Sequence, residues 1–257
     1  GLRLTENTQP AVLAMSVAVY RLLKSRGFSP DLVAGHSLGE YSANVAAGTL
    51  SYADALRTVR RRGIYMQEAV PLGKGAMVAV LGLDSEIVRQ ACEEVADGAV
   101  VSAANLNAPG QVAVSGEKEA VARAGVRAKE LGARRVVSLP VSAPFHCDLM
   151  QPAEERLAPE LRALVVSDPV VPVVANVDAQ PKRSGIEAVE ALIRQVSAPV
   201  QWEAVVRRMI ADGVTTFVEV GPGKVLRQLI RQITKSVRVT HVNDLKSLEE
   251  TESILTS

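Results

Sequence analysis

Apolar residues first recur at helical spacing. Val12, Met15, Val19, Leu22 and Leu23 fall on one face of a helix. Thr8-Gln9-Pro10 opens that helix with a cap and an early proline, Leu2 to Thr8 ahead of it reads as a loop, and Arg26-Gly27 ends it. The short apolar run Asp31 to Ala34 predicts a buried strand, and Leu38 to Ala47 a helix that Gly48 closes. Ser51-Tyr52-Ala53-Asp54 resembles a capping box, and the helix it opens carries Arg57, Arg60, Arg61, Arg62 and Met66. At about 100° per residue, Arg62 lies well away from Arg60 and Arg61. The four arginines are either all solvated, or one points inward as an anion clamp.

The pattern changes after Gly73-Lys74-Gly75. Ala76 to Leu83 reads as a strand, and Asp84 caps a helix to about Ala96. Strands at Ala99 to Ala104 and Gln111 to Ser115 are joined through Asn105 to Gly110. A helix at Glu117 to Leu131 and a strand at Arg135 to Val141 complete the run. The order βαββαβ is the ferredoxin-like split motif. The expected fold is therefore α/β: a parallel-sheet core formed by 1–73 and 142–257, with a ferredoxin-like subdomain at 74–141 inserted into it. In the second half of the core the pattern predicts a helix to about Leu164, a strand at Val171 to Val174 and helices at Ile186 to Val196 and Trp202 to Ala211. A strand at Thr216 to Val220, a helix to about Ile233 and a last strand through Val239 follow.

The 47% apolar fraction is ample for a core, and with aromatics at 3% that core is aliphatic. Basic and acidic residues number 29 and 28, a net charge of +1, which gives no global attraction to nucleic acid or anionic membrane. Cys92 and Cys147 form no disulfide framework, which suits a reducing cytoplasm. No apolar stretch approaches a membrane span. Gly73-Lys74 and Gly223-Lys224 lack the spacing of a phosphate loop.

Gly35-His36-Ser37-Leu38-Gly39 reads G-x-S-x-G between a predicted strand and a predicted helix, the context of a nucleophile elbow. Such a turn lifts the serine hydroxyl clear of the sheet and aims helix N-terminal amides at whatever the serine attacks. A serine nucleophile needs a base, and there are three histidines. His36 adjoins Ser37, where neighbouring side chains diverge. His241 follows the last strand, where an α/β-hydrolase carries its base. His146 sits at the junction of insertion and core behind a proline. Position alone leaves His146 and His241 open.

Gly35 to Ser42, Arg62-Gly63 with Met66 to Pro71, Asn105 to Gln111, Pro144-Phe145-His146-Cys147, Asn176-Val177, Pro199 to Trp202 and Glu219 to Gly223 together resemble the malonyl-CoA:acyl carrier protein transacylase family. The likeness extends to about residue 235 and implies a hydrolase-like core with a ferredoxin-like insertion. It implies that Ser37 carries the malonyl group, that His146 is the base and that the backbone carbonyl of Gln195 orients it. Arg62 then pairs with the malonyl carboxylate, the Leu38 amide is an oxyanion donor, Asn107 lines the pantetheine channel and Phe145 narrows the acyl pocket. The family's carrier protein is acidic, and Arg227 and Arg231, one turn apart, are expected to dock it.

The expected partners are malonyl-CoA and acyl carrier protein, acting with a monomeric, cytoplasmic enzyme of fatty acid or polyketide synthesis that needs no metal or other cofactor. The family begins with a strand and a Gly-Gln-Gly-Ser-Gln loop that find no match here, so the expectation is a chain short of one central strand and one oxyanion donor. The alternatives are a polyketide-type acyltransferase with another acyl group, an esterase or thioesterase using His241, and a non-catalytic chain that binds carrier protein.

Overall fold

The computed structural model describes residues 4–141 and 143–256. Leu2, in the predicted first loop, and Ser142, at the predicted domain boundary, lie outside them. The fold is mixed α/β.

Helix α1 (Thr5–Ser25) begins earlier than expected, and Pro10 sits inside it. The Asn7 and Thr8 amides and the Thr8 hydroxyl all bond the Leu4 carbonyl, so the first turn closes ahead of the proline. In the second turn a proline removes only one ladder bond. The buried face is also rotated from the predicted one: Gln9, Leu13, Ser16, Val17 and Leu23 are buried, whereas Leu22 is 37% exposed. Strand β1 (Val33–Ala34) leads through a sharp turn into α2 (Leu38–Ala46). Helix α3 (Tyr52–Glu68) has the predicted Ser51 cap, whose hydroxyl accepts from the Asp54 amide.

The next stretch runs as β2 (Gly75–Leu81), α4 (Ser85–Val95), β3 (Val101–Ala108), β4 (Gln111–Glu117), α5 (Lys118–Glu130) and β5 (Arg135–Ser138). Its strands form one antiparallel sheet in the order β3-β4-β2-β5, with Val78, Val80, Val88, Val112, Val114 and Val121 in its core. β3 runs through Asn105 to Ala108, where a connecting loop was expected. Asn105 bridges Val200, and Leu106 N–H donates to the Val200 carbonyl, so the core pulls this stretch into strand form.

The second half runs through a 3-10 turn (Asp148–Met150), α6 (Gln151–Arg162), β6 (Val173–Val174), β7 (Pro181–Lys182), α7 (Gly185–Arg194), α8 (Trp202–Ala211) and β8 (Thr216–Val220). It ends with α9 (Val225–Ile233), β9 (Arg238–Val242) and α10 (Leu245–Thr256). Helix α10 was not expected; it packs Leu248 with Val242 and Leu23. Among the described residues β1 pairs in parallel with β6, β6 pairs with β7, and β8 pairs in parallel with β9 as a separate sheet. Leu13, Tyr41, Val59, Met66, Leu157, Leu161 and Leu192 join α1, α2, α3, α6 and α7 into the largest apolar cluster. Trp202, Val205, Leu229 and Val239 anchor a second cluster under α8 and α9. No helix among the described residues is long and apolar enough to cross a membrane.

Candidate active site

The turn between β1 and α2 holds Ser37 at φ 51°, ψ −109°, a backbone state that side-chain-bearing residues rarely adopt. Gly35 makes the turn possible: a Cβ there would come within 2.0 Å of the Gly39 carbonyl carbon. Gly39 itself has open space, so only the first glycine of the motif is sterically required. The Asn176 side chain clamps both sides of the turn. Its Oδ1 accepts from Ser37 N–H at 2.7 Å, and its Nδ2 donates to the Gly35 carbonyl at 2.7 Å. Leu38 N–H, the first amide of α2, needs no acceptor within the helix and stays available at its N-terminus.

Ser37 Oγ lies 2.7 Å from His146 Nε2, and His146 Nδ1 lies 2.9 Å from the Gln195 carbonyl oxygen. A carbonyl only accepts, so Nδ1 carries the hydrogen and Nε2 is left to accept from the serine hydroxyl. His146 is also held at a positive φ of 60°. It is buried, and burial first, then the charge of Arg62, pushes it down to about 3. The resting imidazole is therefore neutral at ordinary pH.

Arg57, Arg60 and Arg61 face solvent on α3, whereas Arg62 is 2% exposed. Gly63 lets α3 approach α1 closely, since a Cβ there would lie 2.5 Å from the Glu6 Cα. That approach brings Gln9 to Arg62: Nη1 donates to Gln9 Oε1 at 2.7 Å. Nη2 donates to Gln195 Oε1 at 2.9 Å and to Ser37 Oγ at 3.1 Å. The Tyr41 ring lies 5.5 Å from the guanidinium carbon. Among the described residues Arg62 has no carboxylate in ion-pair range and its Nε has no hydrogen-bond partner. A buried guanidinium with no carboxylate in direct contact, and only the more distant Glu40 acting on it, is a ready site for a carboxylate.

The remaining residues spread around this centre. Asn107 Oδ1 lies 2.8 Å from His36 Nε2, and His36 rests against Trp202 with centroids 5.7 Å apart. Asn107 thus fixes the His36 ring against Trp202. Phe145, half-buried, packs against both the large core cluster and the Met77, Ala104, Ala113 cluster. Of the expected docking pair, Arg231 is exposed on α9 and Arg227 is half-buried. The Arg227 Nε is unpartnered among the described residues; Arg231 Nη2 turns back toward the Val239 carbonyl at 3.4 Å. His241 lies on β9 in register with Glu219, and no hydrogen bond joins it to Ser37.

The sequence reading missed Gln9, Glu40, the side chain of Gln195 and the clamping role of Asn176. Asn176 and Glu40 stood inside quoted motifs without an assigned role. Gln9 could have been found only as a polar residue at a position that the helical period of Leu13 and Val17 would bury. No group of three or more His, Cys, Asp or Glu among the described residues could hold a metal ion.

Residues 1–251 match the acyl transferase domain family. The malonyl CoA-acyl carrier protein transacylase of Escherichia coli strain K12 is 50% identical over 244 residues, 95% of this chain and 79% of that protein. An acyl carrier protein S-malonyltransferase from Vibrio cholerae superposes with a TM-score of 0.95 at 47% identity, covering 97% of this chain and 82% of that one. A malonyl-transacylase solved in complex with a type II PKS acyl-carrier protein superposes with a TM-score of 0.96 at 46% identity, covering 98% and 82%.

Proposed function

The chain belongs to the acyl transferase domain family, and from that premise we infer that it moves the malonyl group of malonyl-CoA to acyl carrier protein through a malonyl-serine. It is an acyltransferase. The observation that carries the mechanism is the line from Ser37 Oγ to His146 Nε2 at 2.7 Å and from His146 Nδ1 to the Gln195 carbonyl at 2.9 Å.

In our reading, Ser37 Oγ attacks the thioester carbon as its proton passes to His146 Nε2. The Leu38 amide bonds the developing oxyanion. The carbon–sulfur bond breaks, and CoA leaves as a thiol with the proton that His146 returns. The phosphopantetheine thiol of acyl carrier protein then gives its proton to His146 and attacks the malonyl-serine, and Ser37 recovers its proton. The Gln195 carbonyl orients His146 and stabilises its charged form, in the role an acidic residue takes in a serine triad.

Arg62 binds the free malonyl carboxylate; its burial and its lack of a carboxylate partner support this. The same carboxylate, once bound, offsets one of the charges that depress His146, so loading strengthens the base. Asn107 shapes the thiol channel through His36, and Phe145 narrows the acyl pocket. Arg227 and Arg231 contribute to the carrier-protein surface. The order β3-β4-β2-β5 of the inserted sheet supports the ferredoxin-like reading of 74–141, and the parallel pairs β1–β6 and β8–β9 support a hydrolase-like core. Two free buried cysteines fit a cytoplasmic enzyme, and the near-zero net charge fits one with no nucleic acid or membrane partner. We take it to act as a monomer without a metal or other cofactor.

The test is intact mass after mixing with malonyl-CoA. The chain should gain one malonyl group, Ser37→Ala should gain none, and added acyl carrier protein should remove the adduct. An adduct that persists in Ser37→Ala would place the nucleophile elsewhere.

A further inference from the structure

Glu40 is a carboxylate that the mechanism above does not use. It lies on α2, one turn beyond Ser37, and is 1% exposed. Among the described residues no cation lies within ion-pair range of it. Its Oε2 accepts from Gln195 Nε2 at 2.7 Å and from Asn176 N–H at 3.1 Å. These are the two residues that hold the site together. Asn176 clamps the Ser37 turn, and Gln195 supplies the carbonyl that orients His146.

The Gln195 side chain is a two-ended relay. Its Nε2 donates to Glu40 and to the Ser37 carbonyl at 2.8 Å, while its Oε1 accepts from Arg62 Nη2 at 2.9 Å. An amide has one donating and one accepting end, so an acceptor at one end dictates what the other offers. With Glu40 on the nitrogen side, the oxygen side must face Arg62. Placing the oxygen toward Glu40 would put two donors against each other at Arg62 and two acceptors against each other at Glu40.

We propose that Glu40 is the positioning residue of the acyl-selecting arginine: its buried carboxyl fixes the Gln195 amide, which in turn presents the Arg62 guanidinium beside Ser37. This rests on the reading of Arg62 as the malonyl clamp. Burial raises Glu40 to about 7, while its bonds to Gln195 and Asn176 and the Arg62 charge oppose that rise. The relay does not depend on ionisation, because a carboxyl protonated on Oε1 keeps Oε2 as acceptor. A glutamine, with its oxygen in that place, supplies the same acceptor.

The experiment measures kcat and KM for malonyl and acetyl transfer to carrier protein in wild type, Glu40→Ala, Glu40→Asp and Glu40→Gln, with a thermal melt of each. A misplaced binding group costs on the order of 10²-fold in rate. Glu40→Ala and Glu40→Asp should lose malonyl kcat/KM to about that extent while acetyl transfer falls far less, so donor selectivity collapses. Glu40→Gln should restore it. If Glu40→Ala fails to fold, Glu40→Asp decides, since it keeps the acid but withdraws it by one methylene. Unchanged selectivity in a folded Glu40→Asp, or equal loss for both donors that Glu40→Gln does not rescue, overturns the proposal. Wild-type chain that takes no malonyl group would instead sink the reading of the reaction itself.

Discussion

Between Gly75 and Ser138 backbone hydrogen bonds form long ladders, broken in β3 by register shifts at Ala103/Asn105 and Leu106/Ala108, whereas around Ser37 they hardly run at all. β2 and β4 pair from Gly75 with Glu117 to Leu81 with Gln111; β1 and β6 share only Val33 with Val173 and Ala34 with Val174. The stretch from Gly75 to Ser138 is ordered by its ladders and by an aliphatic core of Val78, Val80, Val112 and Val114. The region around Ser37 is ordered by side chains: Asn176 on the elbow, Gln195 on His146 and Arg62, Glu40 on both Asn176 and Gln195. It also holds Ser37 and His146 at positive φ, states that persist only where surroundings over-determine them. One region is thus held chiefly by backbone pairing and aliphatic packing, and the other by polar side chains.

The sharpest way to break that contrast is to remove the base. Loss of a general base costs about 10²–10⁴-fold. His146→Ala should therefore nearly abolish malonyl loading, and His241→Ala should change it little. The reverse ranking would favour a hydrolase that uses His241.

Arg62→Ala comes next. It leaves the malonyl carboxylate buried without a partner, a loss of about 3–5 kcal/mol. Neutral acetyl groups do not meet that cost, so malonyl transfer should collapse while acetyl transfer is kept or improved. Equal weakening of both donors, measured by competition, would make Arg62 a structural residue.

A cut in the stretch from Gly75 to Ser138 should behave differently. Leu83 is buried in its core. Leu83→Ala should lower stability by about 2–5 kcal/mol. Loading measured well below the melt should stay as in the unmodified chain. A matching loss of loading would mean that the two regions are not energetically separate.

The smallest expected effect is that of pH. His146 is pushed down to about 3 by burial, by Arg62 and, less, by His36. A base with a lowered value stays neutral, and competent, as pH falls from neutrality through the ordinary histidine range. Its contribution to the loading rate should be flat there and fall only at much lower pH. In Arg62→Ala, followed by acetyl loading because malonyl loading is lost, removing the neighbouring charge should move that fall upward. A limb centred on the free-histidine value of 6.5 in unmodified protein would contradict the buried, neutral base.

Much of this was legible in the sequence. The elbow was readable because its chemistry is local: Gly35, Ser37 and the helix after them lie within one turn of chain. The inward turn of Arg62 was one of two readings that helical geometry allowed. The element order from β2 to β5 is legible because alternation and helical period both act over short spans. The failures were of another kind. The buried face of α1 differs from its hydrophobic pattern because Gln9 and Ser16 are buried, and such a pattern sends polar residues outward. Asn105 to Ala108 was read as a loop, because nothing nearby announces its bridge to Val200. Helix α10 is not legible because Leu248 is buried among residues distant in sequence, Leu23 and Val242 with Val19, Phe28, Val218 and Val220.

The residues by themselves determined which local turns and amphipathic faces could form, since those depend on neighbours a few positions away. They left His146 and His241 open, and it was family likeness that ranked them. Tertiary structure alone decided that His146, and not His241, meets Ser37, and that Gln9 and Gln195 share Arg62. It also decided that Glu40 is shared by Gln195 and Asn176. The reason is physical. A buried polar side chain is stable only when donors and acceptors from distant segments meet it at hydrogen-bond distance, and those distances exist only after the helices have packed.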